Sequence, residues 1–258
     1  MAEAGCNMSG ARGTLIVTGA SRGIGAAIAL LAARRGFAVA VNYSSDAEGA
    51  HQAARKIRDA GGKAAVIQAD IAKEDDVVRL FEEAERALGP LAGLVNNAGI
   101  TGRQSRLQNM EAADIARVLA INVTGTILCS REAVRRMSQG SGGKGGAIVN
   151  VSSRASKIGG AGEWVHYAAS KGAVDSFTIG LAREVAAEGI RVNAVSPGLI
   201  DTGIHAAAGM PDRIERMAHL IPAQRAGMPE EVANAVLWLL SDEASYITGA
   251  ILPIGGGR

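Results

Sequence analysis

The chain has 258 residues, of which 34 are glycine, 6 are proline and 2 are cysteine. Glycine exceeds its usual share of about 7% while proline is scarce, which excludes collagen and Pro/Gly-rich disordered chains. Two cysteines, Cys6 and Cys129, are too few for a disulfide framework or a structural zinc site. We expect reduced thiols in a cytoplasmic protein. The 27 basic residues nearly balance the 25 acidic ones, and no run of like charge predicts a nucleic-acid or membrane partner.

Neither a membrane span nor a signal peptide is predicted. No apolar run reaches the roughly 18 residues that a spanning helix needs, and the first ten residues, MAEAGCNMSG, lack an apolar core. We expect residues 1–11 to form a flexible N-terminal tail. We expect residues 12–258 to form a single domain, because no shift in composition marks a boundary.

Short apolar runs alternate with longer helical patterns along the chain. Strands are predicted over residues 15–17, 37–41, 64–67, 91–95, 147–151, 190–195 and 250–254. Helices are predicted over residues 24–35, 47–60, 77–88, 111–137, 165–187 and 230–240. Strands rich in Val and Ile without polar alternation are typical of a parallel sheet covered on both faces. The order predicts an α/β protein with a Rossmann-type doubly wound fold, in which helices flank seven parallel strands.

A glycine-rich segment lies between the first predicted strand and the first predicted helix. It reads TGASRGIG over residues 18–25. Free backbone N–H groups and the positive end of a helix dipole favour a phosphate at such a place, and glycine lets the backbone approach it. The spacing is G-x-x-x-G-x-G rather than G-x-G-x-x-G, so an ordinary strand-to-helix turn is the alternative.

The end of the second strand bears on the choice between two dinucleotides. An acidic residue there bonds the adenosine ribose hydroxyls of NAD and repels the 2′-phosphate of NADP. Here the strand ends in Asn42, Tyr43 and Ser44, and the first carboxylate is Asp46. Arg22, in the glycine-rich segment, suits phosphate geometry. We therefore expect NADP(H), with NAD(H) as the alternative and Arg22 then a solvated loop residue.

Tyr167 and Lys171 lie four residues apart at the start of a predicted helix. That spacing places both side chains on one helix face. A phenol, with a pKa near ~10, exchanges protons poorly at neutral pH, and a nearby ammonium lowers that pKa. Because such pairs also occur by chance, the weight of this one depends on the motifs around it.

Those motifs together resemble the short-chain dehydrogenase/reductase family. They follow the family's order over residues 12–258: TGASRGIG (18–25), Asp70-Ile71, NNAG (96–99), Asn122, VNVSS (149–153), YAASK (167–171), RVNAVSPG (191–198) and Thr248-Gly249. The resemblance implies an NADP(H)-dependent oxidoreductase that interconverts a carbonyl compound, ketone or aldehyde, and its alcohol by hydride transfer.

The resemblance also implies the roles of the catalytic residues. Tyr167 would be the general acid/base, and Lys171 would hold the nicotinamide ribose and lower the pKa of the phenol. Ser153 would bind the substrate oxygen, and Asn122 would hold a water in a proton relay. Two preorganised donors at the substrate oxygen suit a reaction that develops negative charge there.

A larger set is assigned to the cofactor by the same resemblance. It consists of Gly19, Ser21, Arg22, Gly23, Ile24, Gly25, Asn42, Tyr43, Ser44, Asp70, Ile71, Asn97, Ala98, Gly99, Tyr167, Lys171, Pro197, Gly198, Ile200 and Thr202. For Asn97, turn chemistry that stabilises the sheet is an alternative role, and both roles can hold. No metal is expected, because the histidines lack ligand spacing.

One departure from the family's pattern concerns the serine. The family's serine stands thirteen residues before the tyrosine, whereas Ser153 stands fourteen before Tyr167, which indicates a one-residue insertion within 157–166. Arg154 holds the usual position but cannot act as a neutral hydroxyl. We assign the role to Ser153, expected at the carboxyl end of a strand, with Ser152 as the alternative.

The sequence names no substrate beyond a carbonyl compound and its alcohol. Residues 203–225 correspond to the family's mobile lid over the substrate. The side chains expected at the pocket are those of Gln104, Arg106, Arg154, Trp164 and Ile204.

The resemblance further implies a homotetramer that pairs the helices 111–137 and 165–187. A catalytically silent NADP-sensing protein is the main alternative function, although a sensor needs no acid such as Tyr167. A related epimerase or dehydratase is a second alternative, disfavoured because those proteins usually carry a separate substrate domain.

Overall fold

Seven parallel strands form one sheet in the computed structural model, which describes residues 12–203, 210 and 212–258. The strand order is β3-β2-β1-β4-β5-β6-β7. The strands are β1 (Thr14–Val17), β2 (Ala38–Tyr43), β3 (Ala64–Gln68), β4 (Leu91–Asn96), β5 (Gly146–Val151), β6 (Ile190–Pro197) and β7 (Ile251–Ile254). All neighbouring strands pair in parallel, which confirms the predicted fold class. The expected tail, residues 1–11, lies outside the described residues, and the single domain stays a prediction.

Helices cover both faces of this sheet. They are α1 (Gly23–Arg34), α2 (Ala47–Asp59), α3 (Glu74–Leu88), α4 (Ala112–Leu119), α5 (Thr126–Met137), α6 (Ala155–Ile158), α7 (Val165–Val185), α8 (Arg213–Ala218) and α9 (Pro229–Leu240). One core packs α1, α2 and α9 on the sheet, and the other packs α3, α5 and α7. In β1, Leu15 and Val17 enter the first core while Ile16 enters the second, because successive side chains of a strand point to opposite faces.

The strand order reverses between β1 and β4, and this reversal positions the site. β1 pairs with β2 on one side and with β4 on the other, and the helices that follow β1 and β4 pack on opposite faces. A crevice opens beyond the carboxyl ends of such strands. Asn97 spans it at the base, since its Nδ2 donates to the carbonyls of Thr18 and Gly19, both at 2.9 Å.

The predicted helix over residues 111–137 contains a widened turn. Ala120–Gly125 is a π-helix between α4 and α5, a feature that often marks functional sites. Two short helices, α6 and α8, were not predicted, and α8 falls within the lid segment. In the structure Asn122, a candidate catalytic residue, sits in the π turn.

The same helical stretch, Ala112–Met137, is long and apolar enough by length and composition to cross a membrane. The sequence did not predict this, because polar residues interrupt the apolar ones along the stretch. Its residues Cys129, Ala133 and Met137 are fully buried in the core under the sheet, whereas only 28% of its most apolar window is buried. The stretch also carries the buried Glu132, which lies between arginines of the same helix.

Glu132 joins α5 to α3 through arginine. Its side chain is 4% exposed and contacts Arg135 at 2.7 Å and Arg136 at 2.5 Å, and Arg136 also reaches Glu85 at 3.0 Å. Burial disfavours the charged carboxylate, but the hydrogen bond and charge of Arg136, followed by those of Arg135, outweigh it and lower the pKa of Glu132. Glu132 therefore stabilises the fold as an anion.

We expect Glu132→Gln to lower the free energy of unfolding by about 2–3 kcal/mol at pH 7, because it removes a buried carboxylate from its ion pairs and leaves Arg136, 18% exposed, with Glu85 as its remaining partner. A carboxylate with a lowered pKa stabilises the fold above its unfolded pKa, near 4.5 for glutamate. That contribution is lost as the pH falls through the folded value, so the two proteins should converge in acid. Urea unfolding at pH 7 and at a series of pH values from about 4.5 down to about 2.5 measures this.

The matched control is Glu83→Gln, since the Glu83–Arg79 pair is more exposed, at 34% and 41%. Its loss should stay below about 1 kcal/mol. Equal losses in the two variants, or a Glu132→Gln deficit that does not narrow in acid, would contradict this account.

Candidate active site

A single cleft runs along the carboxyl ends of the strands. Its volume is about 920 Å³, and it extends from the glycine turn after β1 to Trp164 and Arg213. Every residue assigned to the cofactor lines it, and so do Ser153, Tyr167 and Lys171. Asn122 does not line the cleft. The structure thus brings together nearly all of the residues proposed from the sequence.

The turn between β1 and α1 fits a nucleotide pyrophosphate. Gly19 and Gly23 adopt φ angles of +61° and +55°, and a Cβ on Gly19 would stand 2.9 Å from the Cα of Ala98. No side chain caps the N-terminus of α1 at Arg22. The first N–H groups of this helix are therefore available to an anion in the cleft.

Asn42 supports this turn from within the sheet. It is 1% exposed, and its Oδ1 accepts a hydrogen bond from the N–H of Gly19 at 3.2 Å. Its Nδ2 lies 3.2–3.3 Å from the carbonyls of Tyr43, Ile67 and Ala69. Although Asn42 lines the cleft, its side chain is occupied by the protein, which gives it a structural role that sequence reasoning missed.

Asp46, the first carboxylate after β2, caps a helix. Its Oδ1 accepts from the N–H of Gly49 at 3.1 Å, at the N-terminus of α2. Arg22 is exposed at the rim of the cleft and forms no side-chain hydrogen bond within the described part of the chain. At this end of the cleft the Asp46 carboxylate is hydrogen-bonded within the protein, and the Arg22 guanidinium is available to a ligand.

Ser153, Tyr167 and Lys171 meet where β5 ends. Ser153 lies close enough to Tyr167 to affect the pKa of its phenol, and its Oγ accepts from the N–H of Ala155 at 3.1 Å. The Nζ of Lys171 lies 5.7 Å from the centre of the Tyr167 ring and donates to the carbonyl of Val151 at 2.8 Å. The one-residue insertion before Tyr167 therefore leaves a serine hydroxyl beside the phenol.

The neighbouring Ser152 is used differently. It is 3% exposed, and its Oγ lies 2.5 Å from the Oδ1 of Asp175 and 3.3 Å from the carbonyl of Lys171. Both of its contacts are internal. The geometry favours Ser153 over Ser152 as the hydroxyl that faces a substrate.

The pKa of Tyr167 shifts in the direction opposite to that expected from the sequence. Burial raises it, and the hydrogen bond with Ser153 only partly opposes the rise. Burial also lowers the pKa of Lys171 to about 8, against the charge of Asp175. Lys171 is not among the causes of the shift at Tyr167, and its Nζ is held by the carbonyl of Val151; the lowering of the Tyr167 pKa by Lys171 stays a prediction.

Asn122 lies behind the catalytic pair. It is fully buried, its Oδ1 accepts from the N–H of Ile100 at 2.9 Å, and its Nδ2 donates to the carbonyl of Ile100 and to Ser170, at 2.9 and 3.0 Å. A Cβ on Gly99 would stand 3.2 Å from the Asn122 Oδ1 and 3.4 Å from the Lys171 Nζ. Asn122 and Lys171 therefore both abut the turn after β4.

The other end of the cleft includes an ion pair that the sequence did not reveal. Arg213 of α8 contacts both carboxylate oxygens of Glu163, at 2.7 and 2.8 Å, and stacks 4.8 Å from the ring of Trp164. The pair lowers the pKa of Glu163. It ties the lid segment to the start of α7, and no pattern could indicate it because the partners lie 50 residues apart.

The predicted pocket residues divide into three groups. Gln104, Arg154 and Trp164 line the cleft, Arg106 does not, and Ile204 lies outside the described residues. Residues 204–209 and 211 of the lid segment also lie outside them.

Comparisons with known proteins agree on the family. Residues 19–258 match the family model described as enoyl-(acyl carrier protein) reductase. The chain is 55% identical to the "uncharacterized oxidoreductase YgfF" of Escherichia coli K12, over 94% of this chain and 98% of that protein. It is 44% identical to a cis-4-hydroxycyclohexanecarboxylate dehydrogenase of Sinomonas cyclohexanicum, over 94% of each.

A solved structure is similar over the same range. A short-chain type dehydrogenase/reductase from Mycobacterium marinum superposes with a TM-score of 0.89 at 34% identity, over 95% of this chain and 94% of that one. With the parallel sheet and the glycine-lined cleft described above, these similarities show that the chain belongs to the short-chain dehydrogenase/reductase family, whose members are nicotinamide-dependent oxidoreductases of CH–OH groups.

Proposed function

We propose that this protein is an NADP(H)-dependent oxidoreductase that interconverts a ketone or aldehyde and its alcohol, with Tyr167 as the general acid/base. One observation carries the proposal. Ser153, Tyr167 and Lys171 meet at the end of β5, in the same cleft that the glycine turn lines. A phosphate site and a proton donor therefore share one cavity.

The chemistry divides between cofactor and chain. The nicotinamide, when bound, supplies or accepts the hydride. The raised pKa of Tyr167 keeps its phenol protonated at neutral pH, ready to donate to a carbonyl oxygen. Ser153, which lies beside that phenol in the cleft, orients the same oxygen, and the two donors stabilise the charge that develops on it.

Lys171 and Asn122 complete the proposed set. Lys171 would hold the nicotinamide ribose, and Asn122 would hold a water that carries protons to the site from solvent. Their common contact with Gly99 supports a path between them. The complete set argues against a silent NADP sensor, which needs none of it.

The preference for NADP(H) rests on the rim of the cleft. The Asp46 carboxylate caps the N-terminus of α2, so it is poorly placed to repel a 2′-phosphate. Arg22 is exposed there, and a guanidinium matches phosphate geometry.

We further propose a homotetramer in the cytoplasm. The exposed apolar side chains Ile127 of α5 and Ile179 of α7 support pairing of these helices, since they are 41% and 37% exposed. The location rests on cysteine usage, and Cys129 is a buried free thiol.

The direct test is a panel of ketones, aldehydes and cyclic secondary alcohols, followed by the absorbance of the reduced cofactor. We expect turnover with at least one, and a fall in kcat of about 10³-fold or more in Tyr167→Phe, because the proton donor is lost. Tyr246→Phe is the control, since Tyr246 is fully exposed and far from the cleft lining. Binding of NADPH without turnover of any compound would support the sensor instead.

Cofactor choice gives a second expectation. The protein should have a higher kcat/KM with NADPH than with NADH, and Arg22→Ala should lower the NADPH value about tenfold or more, the worth of one charge-assisted hydrogen bond. The NADH value should change little. A clear preference of the unaltered protein for NADH would refute the assignment.

The two serines are separable by substitution. We expect Ser153→Ala to lower kcat by about 10²–10³-fold, as for the loss of one donor to a developing oxyanion. Ser152→Ala should retain most turnover but lower the thermal midpoint, because buried Asp175 loses a hydrogen-bond donor. Steady-state kinetics and thermal unfolding measure both. The reverse pattern of kinetics would move the role to Ser152.

A further inference from the structure

Asp175 is a buried carboxylate one helical turn beyond Lys171. It is 4% exposed, and its two oxygens accept hydrogen bonds from Ser152 at 2.5 Å and from Ser156 at 2.7 Å. Its remaining partner, Lys157, lies at 3.4 Å and is 60% exposed. A buried charge is tolerated where hydrogen bonds and opposite charge compensate it, and here both are present.

The donors to Asp175 belong to the segment that carries Ser153. Ser152 directly precedes Ser153, and Ser156 belongs to α6, directly after it. One carboxylate on α7 therefore fixes this segment on both sides of the serine. Tyr167 and Lys171 lie on the same helix, so Asp175 sets the position of the serine relative to the catalytic pair.

Asp175 is also placed to act on the charge of Lys171. Lys171 is 5% exposed, and burial favours its neutral amine while the charge of Asp175 favours its ammonium. The other groups that face Lys171 are Tyr167, the amide of Asn122 and the carbonyl of Val151. Among the described residues, Asp175 is the carboxylate that opposes the cost of burial.

We propose that Asp175 is a positioning residue for the reaction, whose carboxylate keeps Lys171 charged and holds the Ser153 segment against α7. The inference rests on the proposed function for its catalytic meaning. Its physical content concerns only protein groups, so it can be tested without substrate or cofactor.

The experiment follows the titration of Lys171 by NMR in protein labelled with ¹³C at the lysine Cε, with the resonance assigned by its loss in Lys171→Arg. The unaltered protein should titrate near pH 8, the value to which burial lowers the pKa of Lys171. We expect Asp175→Asn to lower that midpoint by about one pH unit, as for the loss of a nearby opposite charge. Asp175→Glu restores the charge and should restore the midpoint.

Matched variants separate the effect of Asp175 on the Lys171 titration from a general effect of net charge. Asp59→Asn makes the same change in net charge at an exposed position at the end of α2, and should leave the midpoint of Lys171 in place. If Asp175→Asn does not fold, Asp175→Ser, a smaller neutral residue, takes its place with the same expected fall. An unchanged midpoint in a folded neutral variant overturns the proposal.

Kinetics provide the second readout. If the protein turns over an alcohol, the alkaline limb of kcat against pH should move to lower pH in Asp175→Asn by the same amount as the NMR midpoint. A uniform loss of kcat at every pH, with no shift of the limb, would show a purely structural role. Absence of turnover in the unaltered protein would refute the proposed function and leave the NMR result to decide the role of Asp175.

Discussion

The cleft depends on the junction between the ends of β1 and β4. Thr18 Oγ1 accepts hydrogen bonds from the N–H groups of Asn97 and Ala98, both at 3.0 Å, while Asn97 Nδ2 donates back to the carbonyls of Thr18 and Gly19. The strand order reverses at this point, so the following segments diverge to opposite faces. The junction sets the distance between the glycine turn and the NNAG turn, and a side chain on Gly19 would collide with Ala98.

A buried polar ladder aligns the catalytic helix with this junction. Asn96 Nδ2 donates to Asn150 Oδ1 at 2.9 Å, and Asn150 Nδ2 donates to Thr178 Oγ1 of α7 at 2.9 Å. The ladder connects β4, β5 and α7, and all three side chains are buried. Unpaired polar groups are unfavourable inside a protein. Sliding or rotation of α7 would break the hydrogen bonds of this ladder and is therefore strongly disfavoured. Tyr167 and Lys171 are consequently held on rigid elements, as a site for proton transfer requires.

The sequence predicted the features that depend on local residue patterns, which are the strands and the motifs of the cleft. Apolar runs located all seven strands to within a few residues, and the order of the motifs indicated which residues would line the cleft. The π turn at Asn122 was not predictable, because the apolar spacing runs through it and the hydrogen bonds of Asn122 with Ile100 join segments distant in sequence. The sequence favoured Ser153 but left Ser152 as an alternative for a related reason. They are adjacent at a strand end, and only Asp175 and Tyr167, both distant in sequence, tell them apart.

The directions of the pKa shifts of Tyr167 and Lys171 were also not predictable from the sequence, since burial is a tertiary property. These directions change how the proposed reaction works. A phenol with a raised pKa stays protonated at neutral pH, but it is a weaker acid and a less stable anion. After it donates a proton, the phenolate shares a buried region with Lys171 and with the carboxylate of Asp175. In the proposed reaction the charge of Lys171, whose Nζ is held by the carbonyl of Val151, would stabilise the phenolate, whereas the charge of Asp175 would disfavour a second negative charge nearby. The proposed reaction would therefore require prompt return of a proton to the phenolate, which is the demand that the proposed relay through Asn122 would meet in each turnover.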